Sequence, residues 1–323
     1  MPVLPHSTYV PPGFIRNEHL MTVIPNVVRF FPGIEYQRSR INTEDGDFVD
    51  VDFLDNGGHR AILLSHGLEG NSRSTSVLGM ANHFKRLGWD IWAWNMRSCS
   101  GSPNKTRGFY HPMQTRDYAQ VVDFVRQQKS YSEIGLVGFS FGGAFTLNYI
   151  AEEAEQLPKE VKRAVVFSTP CDLGATSRHL SENTNNSWYG KLFLRKYKAK
   201  IAAKAKLHPD WYDLGLWDKI KTVADFDLQF NCNWYGFERP QDFYTYVSPV
   251  TRLHQIRIPT LIVNAADDPV LPTDCYPTKE VSRLQKVFLE VPESGGHVGF
   301  VRSSQWGGCW SETRAERFLT GKG

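Results

Sequence analysis

Short apolar runs alternate with segments of helical periodicity through most of the chain. The run at 61–65 is apolar up to its terminal serine, which is typical of a strand buried on both faces of a sheet. The next segment, at about 76–87, repeats apolar side chains at the spacing of one helix face. The same succession recurs downstream and predicts strands at 90–95, 133–137, 163–169, 259–265 and 286–291, and helices at 113–128 and 310–319. Such alternation predicts an α/β fold, with a mostly parallel central sheet and helices on both faces.

The N-terminal region departs from this alternation. Residues 1–34 are rich in proline and predict an extended arm with a short helix near 17–25. The alternating runs 35–41 and 48–53 then flank the turn TEDGD, which has Asp-Gly at its centre. This pattern predicts a β-hairpin that supplies an antiparallel edge of the sheet.

A second departure lies between two predicted strands of the core. Residues 172–248 contain no convincing strand pattern and are rich in aromatic side chains. They predict a helical lid insertion over one edge of the sheet, whose aromatic residues form either an apolar wall for a ligand or a second small core. The predicted organisation is therefore an arm at 1–34, an α/β core at 35–171 and 249–323, and the insertion at 172–248.

Composition and charge narrow the class of protein. Of the 323 residues, 41% are hydrophobic and 22% are charged, and the net charge of +3 gives no reason to expect a nucleic-acid partner. The five cysteines include no C-x-x-C pair, which indicates a reducing compartment and neither a disulfide framework nor a zinc site. The N-terminus has no signal-peptide pattern, and no run of about 18 apolar residues occurs. These features predict a soluble, cytoplasmic protein and leave its oligomeric state open.

The segment GFSFG follows a predicted strand and opens a predicted helix. This is the context in which a G-x-S-x-G motif presents a nucleophilic serine. The turn is so tight that only small residues fit two positions to either side of the serine, which accounts for Gly138 and Gly142. It also holds Ser140 in a strained backbone conformation. The alternative interpretation is an incidental serine in a glycine-rich turn.

A nucleophilic serine needs a base, and the base needs an orienting acid. In this class of motif the acid and then the histidine follow the serine along the chain. Asp267 and Asp268 come directly after the predicted strand 259–265, and His297 lies in a glycine-containing loop after the next strand. Loops at the carboxyl ends of parallel strands share one edge of the sheet, so these groups can converge. Asp268 is the favoured acid because it directly precedes PVLP, with Asp267 as its neighbour.

The oxyanion that forms during attack on an ester needs preorganised N–H donors. We expect one donor to be the backbone N–H of Phe141, which follows the serine. The second is expected to be the N–H of Leu68, in the loop after the strand 61–65, where Gly67 allows the chain to turn. His66 has no second ligand at metal-binding spacing, so a structural role is expected for it and no metal site.

Several stretches together resemble the α/β-hydrolase superfamily, and within it the YheT-like branch of esterases. They span about residues 10–310 in the order found in that branch, and include SHGLEGNSRS, NMRSCSGSPN, GFSFGG, FDLQFNCNWYGF, IPTLIVNAADDPVLP and GGHVGF. The resemblance implies an α/β-hydrolase fold and a carboxylic ester hydrolase with Ser140, Asp268 and His297 as its triad. It implies no metal or other cofactor. Some members of the branch also synthesise esters.

The leading functional hypothesis is a serine esterase that acts on small-molecule esters with short- to medium-chain acyl groups. Acyl transfer to an alcohol through the same acyl-enzyme is one alternative. The other is a binding protein without catalytic activity on the same fold.

A basic segment at 191–206 is a candidate for weak contact with anionic membrane surfaces. No acidic residue occurs between Glu182 and Asp210, and apolar residues within the segment recur at helical spacing. The alternative interpretation is an apolar stripe packed on the insertion, with solvated basic side chains. The seven basic residues are Lys191, Arg195, Lys196, Lys198, Lys200, Lys204 and Lys206.

Overall fold

The computed structural model describes residues 2–13, 15–182, 187–302 and 308–322. Within these ranges eight strands form a single sheet. The strands are β1 (Gln37–Asn42), β2 (Phe48–Leu54), β3 (Arg60–Ser65), β4 (Asp90–Asn95), β5 (Glu133–Phe139), β6 (Val161–Phe167), β7 (Thr260–Val263) and β8 (Val287–Glu290). All of the strands predicted from apolar and alternating runs are present, and no strand end is shifted by more than two residues.

The helices surround this sheet and also form the insertion. They are α1 (Glu18–Val28), α2 (Thr75–Arg86), α3 (Thr115–Gln128), α4 (Phe141–Glu152), α5 (Leu173–Glu182), α6 (Ser187–Leu207), α7 (Val223–Phe226), α8 (Asn233–Tyr235), α9 (Pro240–Val247), α10 (Thr278–Val281) and α11 (Trp310–Leu319). Across the described ranges, no helix combines the length and the apolar character needed to cross a bilayer.

The strand order is β1-β2-β4-β3-β5-β6-β7-β8. β1 pairs antiparallel with β2, and β2 pairs antiparallel with β4, so the predicted hairpin does form an antiparallel edge. From β4 to β8 every neighbouring pair is parallel. The carboxyl ends of β3, β5, β7 and β8 therefore share one edge of the sheet, and the predicted site residues follow those ends.

Alternate side chains of the central strands enter two separate cores. In β3, Ala61 and Leu63 belong to one core, whereas Ile62 and Leu64 belong to the other. Residues of α3 and α4 complete the first core, and residues of α2 and α11 complete the second. Because both faces of β3 are fully buried from Ala61 to Leu64, this run is apolar without interruption.

The insertion contains helices and no strand in its described part, as the sequence predicted, and several of its aromatic residues extend the first core. The ring of Tyr197 stacks on Phe226 with 4.4 Å between the ring centroids. Phe230 lies 5.2 Å from Phe226 and 5.2 Å from Trp234, measured between ring centroids. Phe226 is fully buried. The second-core interpretation is wrong for this subset of the aromatic residues, because they pack in the same core as β3, α3 and α4.

The N-terminal arm runs along the opposite edge of the sheet from the hairpin. The N–H of Leu4 donates to the carbonyl oxygen of Leu289 in β8, and the N–H of Leu289 donates to the carbonyl oxygen of Pro2, both at 2.8 Å. The ring of Tyr9 then packs edge-on against Phe300, with 5.6 Å between ring centroids. The arm is thus bound to the core before α1 begins, and this fixes the position of α1.

Candidate active site

The tight turn between β5 and α4 carries Ser140. Its φ of 51° and ψ of −122° lie in a region that is costly for a side-chain-bearing residue. The N–H of Ser140 donates to the carbonyl oxygen of Phe167 in the neighbouring strand at 2.8 Å. A Cβ at Gly138 would lie 2.6 Å from the first turn of α4, and one at Gly142 would lie 2.3 Å from the carbonyl oxygen of His66. Close backbone contact therefore requires both glycines.

Ser140, His297 and Asp268 form one chain of hydrogen bonds. Nε2 of His297 lies 2.9 Å from Oγ of Ser140, and Nδ1 lies 2.8 Å from Oδ2 of Asp268. An ionised carboxylate only accepts hydrogen bonds, so Nδ1 carries the proton and Nε2 of the neutral ring can accept one from the serine. The N–H groups of Val270 and Leu271 donate to Oδ1 of Asp268 at 2.9 and 3.2 Å. The buried carboxylate is thereby fixed toward the imidazole.

Asp267 has a different set of contacts from its neighbour Asp268. Its Oδ1 accepts a hydrogen bond from the N–H of Gly296 at 2.9 Å, and burial raises the pKa of its carboxyl. It therefore holds the backbone of the loop that carries His297, while Asp268 contacts the His297 ring.

Helix α1 packs directly on the same loop. Oγ1 of Thr22 accepts a hydrogen bond from the N–H of His297 at 2.9 Å. Gly296 has a φ of 59°, and a Cβ there would lie 2.9 Å from Cβ of Met21, so the close approach of α1 requires glycine. Sequence reasoning missed this support, because the contact joins residues 275 positions apart and Thr22 belongs to no motif.

His66 holds the loop after β3 through two hydrogen bonds of its ring. Its Nε2 accepts a hydrogen bond from the N–H of Met96 at 3.1 Å, which leaves the proton on Nδ1 to be donated to the carbonyl oxygen of Gly67 at 2.7 Å. Burial lowers the pKa of His66 to about 4, so the ring is neutral at physiological pH. In a trans peptide the carbonyl and the following N–H point in opposite directions. By fixing the Gly67 carbonyl, His66 therefore orients the N–H of Leu68.

Leu68 and Phe141, the residues predicted to stabilise an oxyanion, line the same cavity as Ser140. Phe141 is the first residue of α4, and the N–H groups of a first helical turn have no acceptor within the helix. A Cβ at Gly67 would lie 3.3 Å from Cβ of Ser140, so the loop after β3 passes close to the serine. The role of the two N–H groups as oxyanion donors stays a prediction.

The cavity beside Ser140 extends into the insertion. Residues after β3 and β5 and residues of the insertion form its wall together. The interpretation as a wall for a ligand stays a prediction for the residues that line this cavity, whereas Phe226 and Phe230 pack in the first core. The apolar and aromatic side chains that the insertion contributes are Leu173, Leu180, Phe193, Tyr197, Val223, Phe243 and Tyr244.

The basic segment 191–206 lies on α6, and two of its cations face inward. Nζ of Lys200 lies 2.7 Å from Oε1 of Glu69, and the Lys200 side chain is only 18% exposed. Lys204 is fully buried, donates to the carbonyl oxygen of Gly108 at 2.9 Å, and has a pKa that burial lowers to about 8. The expectation of seven solvated basic side chains is wrong for these two, because this face of α6 packs on the loops after β3 and β4.

Glu69 connects the insertion to the loop that carries Leu68. The Tyr110 hydroxyl donates to Oε1 of Glu69 at 2.8 Å, in addition to the salt bridge from Lys200. Glu69 itself has a φ of 57°, so its backbone is held in a left-handed conformation. Sequence reasoning missed this connection, since a single glutamate in a polar loop gives no signal of its partner.

Fold and site together define the class of protein. Residues 60–303 match the family model described as the alpha/beta hydrolase fold, and the chain belongs to this family of enzymes. The resemblance to YheT-like esterases is confirmed by the relatives. YheT of Escherichia coli (strain K12), which carries the name of an esterase, is 29% identical over 326 residues, covering 97% of this chain and 93% of its own.

Two further comparisons extend this relationship. Phospholipase ABHD3 of Mus musculus is 26% identical over 304 residues, covering 91% of this chain and 74% of its own. Among solved structures, the Pyrococcus furiosus esterase Pf2001 superposes with a TM-score of 0.59 at 17% identity and covers 98% of both chains. At that identity the superposition shows the fold alone.

Proposed function

We propose that the protein is a serine carboxylesterase that cleaves short- to medium-chain acyl esters through an acyl-enzyme on Ser140. The observation that carries this proposal is the 2.9 Å contact between Nε2 of His297 and Oγ of Ser140. A base at hydrogen-bond distance is what makes a serine hydroxyl nucleophilic near neutral pH. The 2.8 Å contact between Asp268 and Nδ1 supports the tautomer that the mechanism needs.

In the proposed reaction Oγ of Ser140 attacks the ester carbonyl carbon while His297 Nε2 takes the hydroxyl proton. Asp268 stabilises the imidazolium that forms, and the N–H groups of Leu68 and Phe141 stabilise the oxyanion. The tetrahedral intermediate collapses by breaking the bond to the alcohol oxygen, which receives the proton from His297. Water then attacks the acyl-enzyme with the same histidine as base, and releases the acid and the free serine.

The proposed acyl range rests on the cavity. Seven apolar or aromatic side chains of the insertion line it beside the serine, which suits an aliphatic acyl group. The names of the relatives, an esterase and a phospholipase, both describe cleavage of ester bonds and favour an ester as the substrate.

A series of p-nitrophenyl esters from acetate to dodecanoate tests the proposal. We expect hydrolysis with an optimum at short to medium chains, and in the Ser140→Ala variant a loss of turnover on the order of 10⁶. Added ethanol in the same assay measures acyl transfer, as the ratio of ethyl ester to free acid. A Ser140→Ala variant with near-normal turnover would contradict the assigned nucleophile, and a wild-type protein inert on the whole series would contradict the esterase proposal.

A further inference from the structure

The cavity that contains Ser140 has a polar group of side chains on its insertion side. Four residues from three separate segments line it there: Ser177, Asp227, Asn231 and Tyr244. Each of them is buried, with 5 to 8% of the residue exposed. A cavity that only accommodated an aliphatic chain would gain nothing from a buried carboxylate, which costs free energy to remove from water.

The hydrogen bonds within this group leave acceptor capacity on Asp227. Its Oδ1 accepts from Nδ2 of Asn231 at 2.6 Å, and its Oδ2 accepts from the Tyr244 hydroxyl at 2.7 Å. The Tyr244 hydroxyl also lies 2.8 Å from Oγ of Ser177. A carboxylate offers about four lone-pair sites, so two neutral donors occupy half of them. Within the described ranges burial, Tyr244 and Asn231 are the influences on the Asp227 carboxyl, and no lysine or arginine is among them.

The backbone at Asp227 is also unusual. Asp227 begins a π-helical segment, Asp227–Cys232, between two short α-helices. An inserted π-helical turn is found preferentially at functional sites, because it turns side chains out of the register of the helix. Here it brings both Asp227 and Asn231 to the cavity wall. Burial without a cationic partner raises the pKa of Asp227 to about 6, so the side chain is mostly ionised at neutral pH.

We propose that Asp227, supported by Asn231 and Tyr244, forms a specificity subsite for a hydroxyl group carried by the acyl chain of the substrate. The hydroxyl donates to a free lone pair of the Asp227 carboxylate while the ester carbonyl lies at Ser140. The preferred substrates are then esters of hydroxylated acyl chains rather than of plain fatty acids. This inference rests on the proposed esterase function and adds the substrate class.

The enzyme is expected to distinguish hydroxylated from unsubstituted acyl chains because leaving a buried polar group unpaired costs free energy. An unsubstituted acyl chain displaces water from the Asp227 carboxylate and returns no hydrogen bond. A hydroxyl at the right chain position restores a hydrogen bond to a charged acceptor. The expected gain in kcat/KM is about 10- to 100-fold, the range for a hydrogen bond to a charged group.

The experiment compares matched p-nitrophenyl esters of rising chain length that end in a methyl, a hydroxyl, a methyl ether or an ammonium group. The wild-type enzyme is expected to prefer the hydroxyl end at one chain length, with no gain for the methyl ether, which cannot donate. Asp227→Leu, similar in shape, should abolish this preference, and the conservative Asp227→Asn should reduce it several-fold. The exposed Asp218→Asn is the matched control and should keep the wild-type profile.

The outcomes separate this subsite from the esterase function itself. Hydrolysis of methyl-ended esters without a hydroxyl preference at any length would overturn the subsite and leave the esterase proposal intact. A hydroxyl preference that persists in Asp227→Leu would assign it to other residues and also overturn the subsite. If the ammonium-ended ester is the best substrate, the proposal of a hydroxyl subsite is overturned, and the group that Asp227 binds is a cation. Failure of every ester in the wild-type enzyme would instead contradict the esterase proposal.

Discussion

Two buried aspartates, Asp268 at the strand edge and Asp227 in the insertion, differ in how they are held. Backbone N–H groups of Val270 and Leu271 fix Asp268, which also contacts His297. Asp227 accepts hydrogen bonds from two neutral side chains. The first arrangement is set by a turn within a few residues, whereas the second needs helices to pack in one particular way.

The comparison extends to the two regions as wholes. At the strand edge the glycines on either side of Ser140 and the parallel strands are local backbone constraints that bring the site residues together, and the bond from Thr22 to the His297 loop is a long-range addition. In the insertion, positions depend on long-range side-chain contacts such as the salt bridge of Lys200 with Glu69. The edge therefore suits a fixed chemistry, and the insertion suits the selection of substrates.

The largest effect is expected at the strand edge from Asp268→Asn. The amide cannot hold the required His297 tautomer or stabilise the imidazolium, so turnover should fall by about 10⁴. In Asp267→Asn the amide oxygen still accepts from the N–H of Gly296, and the loss should stay within about tenfold. Steady-state kinetics of both variants on one ester measures the ratio. A greater loss in Asp267→Asn would reverse the assigned roles of the two carboxyl groups.

In the insertion, Asp227→Asn should remove a pH dependence of the free energy of unfolding. The folded pKa of Asp227, about 6, lies above its ordinary value of 3.8. The folded state therefore binds the proton more tightly, and the stability gained by protonation is full below 3.8 and lost as pH rises through 6. Relative to the wild-type protein, the variant should gain up to about 3 kcal/mol of stability between pH 4 and about pH 7.5, on top of a pH-independent cost from the hydrogen bond that its amide nitrogen cannot accept. Denaturant unfolding of both proteins across this pH range measures the difference in their free energies of unfolding. A difference that is the same at pH 4 and at pH 7.5 would contradict a buried charge without a cationic partner at Asp227.

A smaller effect at the strand edge tests the support from α1. Thr22→Val removes the acceptor for the N–H of His297, and we expect kcat to fall about tenfold with little change in KM. Thr22→Ser keeps the hydroxyl and should restore most of kcat. Thr245→Val is the control, because it removes a comparable hydroxyl-to-carbonyl bond on an exposed helix face of the insertion. An unchanged kcat in Thr22→Val would show that α1 does not position the histidine.

The smallest expected effect is weak binding of the basic surface of α6 to anionic vesicles. Its outward cations include Lys191, Arg195 and Lys198. We expect weak co-sedimentation with anionic vesicles at low salt, lost at physiological salt and on changing these three residues to glutamate. Equal or negligible binding to anionic and neutral vesicles at low salt would remove this surface as a membrane contact.

The difference between the regions also explains what the sequence could predict. Strands, hairpin and the strand-end positions of Ser140, Asp268 and His297 follow from apolar periodicity and from a turn in which only glycine fits. These are local constraints, and they are visible in a few consecutive residues. The inward positions of Lys200 and Lys204 could not be predicted in this way, because lysines are usually solvated and the acceptors of these two lie about a hundred residues away along the chain. The helical spacing of apolar residues predicted the apolar stripe of α6, but it did not predict that Lys200 and Lys204 are buried.

The nucleophilic role of Ser140 is the central claim, and reaction with a fluorophosphonate probe tests it most directly. Such probes modify a serine only when it is activated by its base. Intact-mass measurement of the wild-type protein should show one adduct per chain, peptide mapping should place it on Ser140, and Ser140→Ala should show none. A folded wild-type protein that stays unmodified, or an adduct that persists in Ser140→Ala, would contradict the account.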